Sequence, residues 1–265
     1  MGNIYFAFAL TLLAGLSTGI GSLIAFFAKK TNTKFLSLSL GFSAGVMIYV
    51  SMVEIFDEAK HYLTTSLGEK TGVLITIAAF FTGMFLIALI DKLIPSYENP
   101  HEVKFVETES CKIPTAKLMR TGVLTAIAIT LHNFPEGLAS FISAMQDTEI
   151  AIPIIVAIAI HNIPEGIAVS VPIYCATGSK KKAFLYSFAS GLSEPLGAVI
   201  GYLILLPFIN DTVNGILLAG VAGIMVFISL DELLPSAREY GEGHLSIYGL
   251  VAGMAVMAFS IWLFI

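Results

Sequence analysis

The six-residue motif His-Asn-X-Pro-Glu-Gly occurs twice in the sequence, at 132–137 and at 161–166. In each copy the histidine and the glutamate stand four residues apart, and residues at that spacing share one face of an α-helix. Each helix therefore presents an imidazole nitrogen beside a carboxylate oxygen. The two pairs are His132 with Glu136, and His161 with Glu165.

A proline stands three residues after each histidine, as Pro135 and Pro164. Inside a helix, proline removes one backbone hydrogen bond and clashes with the carbonyl four residues earlier. Here that carbonyl belongs to Leu131 or Ile160. Because broken backbone at membrane depth is tolerated only where it faces protein or a water-filled cavity, we expect each motif to line a cavity and to expose a carbonyl oxygen.

A third acid, Glu194, lies in a later apolar stretch and is also followed by a proline. An ionisable side chain at the centre of a bilayer costs at least about 2.5 kcal/mol, so these groups need compensation. Carboxylates that face one another repel unless protons or cations offset their charge. The acids and histidines predict a site for one or two divalent ions. The alternative is a set of buried polar groups that hold helices together through hydrogen bonds.

The ligand types narrow the choice of ion. Imidazole and carboxylate without a thiolate suit zinc, iron(II), cobalt and manganese, whereas calcium and magnesium prefer oxygen alone. Asn133 and Asn162, beside the two histidines, offer neutral oxygens to a second ion position, or else an interhelical hydrogen bond. The residue types do not rank zinc (Zn2+) against Fe2+, Mn2+, Co2+ or Cd2+.

Eight largely apolar stretches must position these residues. The chain of 265 residues is 56% hydrophobic and 12% charged, against about 25% charged residues in soluble domains. Crossing the bilayer core takes about 20 apolar residues. The sequence provides such stretches at about 4–28, 35–56, 73–94, 118–145, 151–173, 183–206, 214–235 and 246–265. We predict an all-α integral membrane protein of eight transmembrane helices, with the lipid bilayer as its solvent.

Lysine and arginine predict the orientation, because short loops that carry them stay in the cytoplasm. With eight spans, twelve of these residues fall on one side of the membrane and only Lys60 and Lys70 on the other. Both termini of this multi-pass protein of the cell (inner) membrane are therefore expected outside, and the loop at about 95–117 in the cytoplasm. No basic patch with interleaved aromatic residues indicates nucleic acid binding. The sequence leaves open whether the protein forms a homodimer.

An internal repeat relates the two ends of the chain. Residues 45–62 match residues 223–240 at an offset of 178, and residues 15–24 match residues 191–200 at an offset of 176. Close packing of helices through small residues is an alternative reason for the matching glycines. It does not explain why Glu54 recurs as Glu232.

The repeat units, at about 4–94 and 183–265, are predicted to cross the membrane in opposite directions, because a helix and its copy are five spans apart. Such inverted repeats are a common construction of secondary transporters, whose substrate site lies at the repeat interface. The two motif helices, at about 118–173, lie between the units. We therefore predict one transmembrane transporter domain over 1–265.

Further polar residues flank the site on the presumed ion path. These candidate pathway residues are Ser51, Glu54, Asp57, Asp91, Ser229, Asp231 and Glu232. The acids of the second helix are expected at the outer mouth and those of the third and seventh helices at the inner mouth, where they would attract and desolvate cations. Acids at helix ends that are simply solvated are the alternative.

Together these features make the sequence similar to the ZIP family of metal-ion transporters. The likeness rests on the two HNxPEG motifs, a GxMxxxS run, a GSKKK loop and a DELLP segment, and covers essentially the whole chain. It implies a 3+2+3 arrangement of helices and uptake of zinc and related ions into the cytoplasm. By motif, one ion site would comprise His132, Glu136, His161 and Glu165. The second would comprise Asn133, Asn162 and Glu194 and share both glutamates.

Other functions are compatible with the same ligands. An exporter or an ion channel would use them too, because a sequence does not set the direction of net flux. An intramembrane zinc hydrolase would use the metal to activate water. The HExxH pattern common in metallopeptidases is absent, and a duplicated inverted scaffold suits passage better than one-sided chemistry. We therefore predict a transporter and not an enzyme.

Overall fold

The computed structural model describes residues 4–27, 33–93, 115–146, 148–205, 210–240 and 244–264. Within these ranges every regular element is a helix, which confirms the all-α prediction. The α-helices are α1 (Ile4–Phe27), α2 (Thr33–Tyr49), α3 (Phe56–Leu67), α4 (Glu69–Leu93), α5 (Thr115–Gln146), α6 (Thr148–Thr177), α7 (Lys180–Gly191), α8 (Ser193–Ile200), α9 (Asp211–Ile228), α10 (Leu234–Tyr240) and α11 (Leu245–Phe264).

Among the described residues, three π-helical stretches join or extend these helices. Val50–Ile55 connects α2 to α3, Ser229–Leu233 connects α9 to α10, and Gly201–Leu205 follows α8. The first two begin within one residue of each other once the repeat offset of 178 is applied. Stretches of this kind occur often at functional sites, and both of these contain candidate pathway residues.

Five helical stretches in the described residues are long and apolar enough to cross a membrane. They are Ile4–Leu23, Ser37–Leu67, Glu69–Ile90, Asp211–Arg238 and Leu245–Trp262. Large apolar side chains such as Phe85 and Trp262 are mostly exposed, at 71% and 65%, as expected where the solvent is lipid. Helices α5, α6 and α7 with α8 lie at the other three predicted positions. That all eight stretches span the membrane stays a prediction.

The helices pack into two groups. In the α2 group, α2 lies against α11, α4 lies against α9, and α3 contacts both α4 and α9. In the α6 group, α6 contacts α1, α5 and α7, and α5 also contacts α8. The groups meet where α2 packs on α6 and α9 packs on α5. Each motif helix therefore lies at the border between the groups.

The largest apolar core lies in the α2 group and extends to α6. Met47 and Met225, which are matched by the repeat, are both fully buried in it with Leu40, Leu218 and Ile167. These neighbours are all apolar. The contacts give the two methionines the role of core packing.

Glycines set the closest helix approaches in the α2 group. A Cβ atom on Gly45 would overlap the backbone oxygen of Leu250, and one on Gly223 would overlap that of Phe80. The contacts of α2 with α11 and of α9 with α4 are therefore backbone against backbone. Because Gly45 and Gly223 stand 178 residues apart, the same repeat position makes the same kind of contact twice.

Candidate metal-ion site

The two motifs meet where α5 packs against α6. His161 Nε2 lies 2.9 Å from Glu136 Oε1, so the imidazole of one motif contacts the carboxylate of the other. Both side chains, and that of Glu165, are at most 1% exposed. The spacing of each motif placed histidine and glutamate on one helix face, and the structure adds this contact between helices.

Glu194 joins the site from the first turn of α8. Its carboxylate is fully buried, and Asn162 Nδ2 donates a short hydrogen bond to its Oε1. Glu136 and Glu165 are both near enough to repel it electrostatically. Three carboxylates from three helices, α5, α6 and α8, therefore lie in one buried region.

A helix break positions Glu194. The sequence predicted one continuous span over 183–206, but α7 ends at Gly191 and α8 begins at Ser193. Pro195 has no backbone N–H to donate to Gly191, so the hydrogen-bond ladder is interrupted just there. The proline was visible in the sequence, but its effect on the course of the helix was not predicted.

Both motif asparagines make interhelical hydrogen bonds. Asn162 Nδ2 lies 3.1 Å from the Ala14 carbonyl oxygen on α1, and Asn133 Nδ2 lies 3.5 Å from the Ser190 carbonyl oxygen on α7. The alternative role predicted for these residues, an interhelical hydrogen bond, is therefore fulfilled by their amide nitrogens. Their Oδ1 atoms are buried and without a hydrogen-bond partner in the described structure, so they remain available to a ligand.

Ser43 on α2 also reaches the site, and it was not among the predicted site residues. Its Oγ lies 3.5 Å from Glu165 Oε1 and 3.4 Å from the His161 carbonyl oxygen. Both contacts cross from the α2 group to the α6 group. A buried serine among small residues is common in packed helices, so its spacing alone carried no signal of contact with a residue 122 positions away.

The site contains three buried acidic side chains. The buried polar residues in the described ranges include glutamates but no lysine or arginine. These ranges also hold no group of three or more histidine, cysteine or acidic side chains that would enclose a metal ion by themselves. The contacts described between site residues are those of His161 with Glu136 and of Asn162 with Glu194.

The candidate pathway residues differ in burial. Ser51, Ser229 and Glu232 are buried, whereas Glu54 and Asp231 are half-buried. All five lie in the two matched π-helical stretches, Val50–Ile55 and Ser229–Leu233. These stretches therefore present similar polar groups at equivalent repeat positions.

Asp57 lies at the surface. Its Oδ1 accepts a hydrogen bond of 2.9 Å from Lys60 Nζ, and both side chains are largely exposed. The contact corresponds to the alternative of a solvated acid at a helix end. The side chains of His132 and Asp91 lie outside the described residues, although both backbones are helical.

Comparison with known proteins identifies relatives over the whole length. A family model described as ZIP Zinc transporter matches residues 95–261. The chain is 67% identical over 263 residues to "Zinc transporter ZupT" of Streptococcus mutans serotype c (strain ATCC 700610 / UA159), with 99% of each chain covered. It is 63% identical to the protein of that name in Clostridium perfringens (strain 13 / Type A), covering 100% of this chain and 98% of that one.

A more distant relative matches along the same length. The "Zinc transporter ZupT" of Nitratidesulfovibrio vulgaris (strain ATCC 29579 / DSM 644 / CCUG 34227 / NCIMB 8303 / VKM B-1760 / Hildenborough) is 59% identical, covering 100% of this chain and 99% of that protein. The predicted similarity to the ZIP family is confirmed, and all three relatives are of the bacterial ZupT type.

Proposed function

Because the chain belongs to the ZIP family of zinc transporters, we propose that it takes zinc into the cytoplasm through a site formed by both motifs and Glu194. Zinc transport by a multi-pass membrane protein, and not an enzymatic reaction, follows from the family. Uptake as the direction, a carrier mechanism, location in the cell inner membrane and the ligand set are the further content of the proposal. Iron(II), manganese, cobalt and cadmium are proposed as additional cargo.

The observation that carries the proposal is that three carboxylates are buried in one region of the protein. Glu136, Glu165 and Glu194 come from three helices and are at most 1% exposed. Buried charges are stable only when paired or coordinated, and a divalent ion offsets two of them at once. An ion of borderline character would also use the imidazole of His161.

We propose two adjacent ion positions that share glutamates. The first uses His161 with Glu136 and Glu165, together with His132. The second uses Glu194 and the amide oxygens of Asn133 and Asn162, with the same two glutamates. The contact of His161 with Glu136 and that of Asn162 with Glu194 support this division, because each brings together ligands of one proposed position.

The proposed architecture is the eight-helix 3+2+3 arrangement, with both termini outside. Repeat units at about 4–94 and 183–265 would enclose the motif helices. The equivalent contacts of Gly45 and Gly223 and the matched π-helical stretches support the repeat. In this arrangement Glu54 and Asp57 lie at the outer mouth, and Asp91, Asp231 and Glu232 lie at the inner mouth. Ser51 and Ser229 line the path between.

Purified protein in liposomes that contain a zinc-sensitive dye tests the function. We expect zinc-dependent fluorescence in wild-type vesicles and its loss in Glu165→Gln and Glu194→Gln, which remove buried negative charge at constant shape. Glu69→Gln changes an exposed acid on α4 and serves as the matched control. Wild-type vesicles without zinc flux, or full flux in both site variants, would contradict the proposal.

The same vesicles distinguish a carrier from a channel. A carrier that exposes its site alternately to the two sides exchanges labelled zinc against unlabelled zinc across the membrane at zero net gradient. A channel shows instead a steep dependence of flux on membrane potential and saturates weakly. We expect exchange, with iron(II), manganese, cobalt and cadmium competing to the extent that they are cargo.

A further inference from the structure

A local two-fold relation exchanges the motif helices α5 and α6 and, with them, their neighbours α8 and α1. Gly21 on α1 and Gly197 on α8 stand 176 residues apart, which is the repeat offset of these helices. A Cβ on Gly21 would overlap the backbone oxygen of Ile163, and one on Gly197 would overlap that of Phe134. Ile163 and Phe134 are the variable residues of the two motifs, so α1 lies on α6 as α8 lies on α5.

Two further pairs of contacts obey the same relation. Asn162 donates to the Ala14 carbonyl, and Asn133 donates to the carbonyl of Ser190, which is 176 residues after Ala14. A Cβ on the last glycine of one motif, Gly166, would overlap the backbone oxygen of Thr18. The equivalent overlap of Gly137 is with the backbone oxygen of Glu194. Thr18 therefore occupies the place of Glu194 in the other half of the site.

Thr18 is buried, and its hydroxyl makes no hydrogen bond within the described structure. It is 0% exposed, and its Oγ1 has no hydrogen-bond partner in the described structure. Other helical threonines donate to the carbonyl four residues earlier, as Thr11, Thr76 and Thr130 do. For Thr18 that carbonyl is Ala14, which already accepts from Asn162 and from Ser17 Oγ at 2.6 Å.

The side-chain amide that the two-fold relation pairs with Thr18, that of Asn133, also has an oxygen without a hydrogen-bond partner among the described residues. Glu194 lies against the motif at 132–137 but accepts a hydrogen bond from Asn162 of the motif at 161–166. The two-fold relation exchanges Glu194 with Thr18 and Asn162 with Asn133, so it pairs Thr18 with Asn133. Asn133 Oδ1 is buried and without a hydrogen-bond partner in the described part of the chain. Both residues lie against the end of α7, since Asn133 bonds Ser190 and Thr18 Oγ1 is 3.0 Å from the Cβ position of Gly191.

We propose that Thr18 and Asn133 form a neutral oxygen half-site that binds a water ligand of the transported divalent ion and thereby sets its affinity. The inference rests on the proposed function. A water molecule on a cation has two O–H donors, and the half-site has two buried acceptors, Thr18 Oγ1 and Asn133 Oδ1. Buried polar atoms need partners, and a polarised water satisfies both. The ion is held directly by Glu194 and by one lone pair of Asn133 Oδ1, while Thr18 Oγ1 and the other lone pair of Asn133 Oδ1 hold its water ligand.

Equilibrium binding of radioactive zinc to the purified full-length protein, together with transport kinetics in liposomes, tests this half-site. Thr18→Val keeps the shape and removes the hydroxyl, so zinc affinity falls about ten-fold and KM rises in proportion. Thr18→Ser restores near-wild-type values. Thr18→Glu installs the counterpart of Glu194, so zinc binds more tightly, while slower release lowers kcat along with KM.

Thr76→Val is the matched control, because Thr76 is fully buried but donates to the Gly72 carbonyl of its own helix. It is expected to leave zinc affinity unchanged. Wild-type affinity in Thr18→Val or in Thr18→Glu overturns the half-site, and absence of zinc flux in the wild type overturns the proposed function instead. If Thr18→Val does not fold, the comparison of Thr18→Glu with the wild type decides.

Discussion

At the scale of single residues, Ser43 links the ion site to the α2 group. Its hydroxyl has one proton and two acceptors, Glu165 Oε1 and the His161 carbonyl. It therefore donates to one of them at a time, and a bond to Glu165 fixes the position of that carboxylate. Ser43 acts as a positioning residue for Glu165.

Removal of this hydroxyl is expected to weaken zinc binding. Ser43→Ala takes away one hydrogen bond to a charged group, a loss of about 1.5 kcal/mol, so KM for zinc rises about ten-fold with little change in kcat. Zinc-dependent flux in liposomes measures both constants.

Ser170→Ala is the control for Ser43, because Ser170 is equally buried but donates to the Ile167 carbonyl of its own helix. It should leave KM unchanged. Equal KM values for the two alanine variants would rule out a positioning role for Ser43.

The imidazole of His161 is expected to set the preference among ions. In His161→Gln an amide oxygen replaces the ring nitrogen, and an oxygen ligand favours manganese relative to zinc. Zinc uptake is therefore expected to fall more than manganese uptake when the two compete in one assay. His61→Gln alters an exposed histidine and should keep the wild-type ratio. A ratio in His161→Gln equal to that control argues against ligation by His161.

At the scale of elements, backbone contacts at glycine determine how closely helices approach. Gly223 on α9 leaves no room for a methyl group against the Phe80 carbonyl, whereas the nearest atom to a Cβ on Gly220, the Ala79 oxygen, is 3.8 Å away. Gly223→Ala should therefore destabilise the protein by about 1–3 kcal/mol, and Gly220→Ala should be tolerated. Thermal unfolding of both variants in detergent compares them, and equal midpoints would refute the packing argument.

The elements themselves were largely predictable, because helices follow from local apolar content and length. Helix α4 (Glu69–Leu93) covers the predicted stretch 73–94 almost completely. The break before Ser193 and the π-helical stretches were not predicted. The break and the π-helical stretches both depend on changes in helix hydrogen bonding that accompany tertiary packing. The periodicity of apolar residues carries no information about such changes.

The site was predictable to the extent that its ligands recur at helical spacing. Histidine and glutamate at i and i+4 indicated a shared face, and Glu194 was found because a buried acid is costly. The partners of these residues were not predictable. Asn162 bonds Ala14, and Ser43 bonds Glu165, across separations of 148 and 122 residues, which one sequence without a packing model does not specify.

At the scale of the whole molecule, the distribution of lysine and arginine predicts which side each loop faces. Lys70 and Lys181 are both exposed and lie in the first turns of α4 and α7, at helix ends expected on opposite sides. With Cys111 and Cys175 replaced by alanine, Lys70→Cys should react with a membrane-impermeant maleimide on intact cells. Lys181→Cys should react only after the membrane is made permeable, because positively charged loops stay inside. The reverse labelling pattern would invert the proposed orientation.

In the proposed mechanism, the three buried carboxylates would also govern the part of the transport cycle in which no ion is bound. Once zinc has left the proposed site, its two positive charges no longer offset those of Glu136, Glu165 and Glu194. Moving such a group of charges through a low-dielectric interior is costly. The ion-free protein is therefore expected to change conformation slowly or to bind protons first. The rate of the whole transport cycle then depends on this ion-free conformational change.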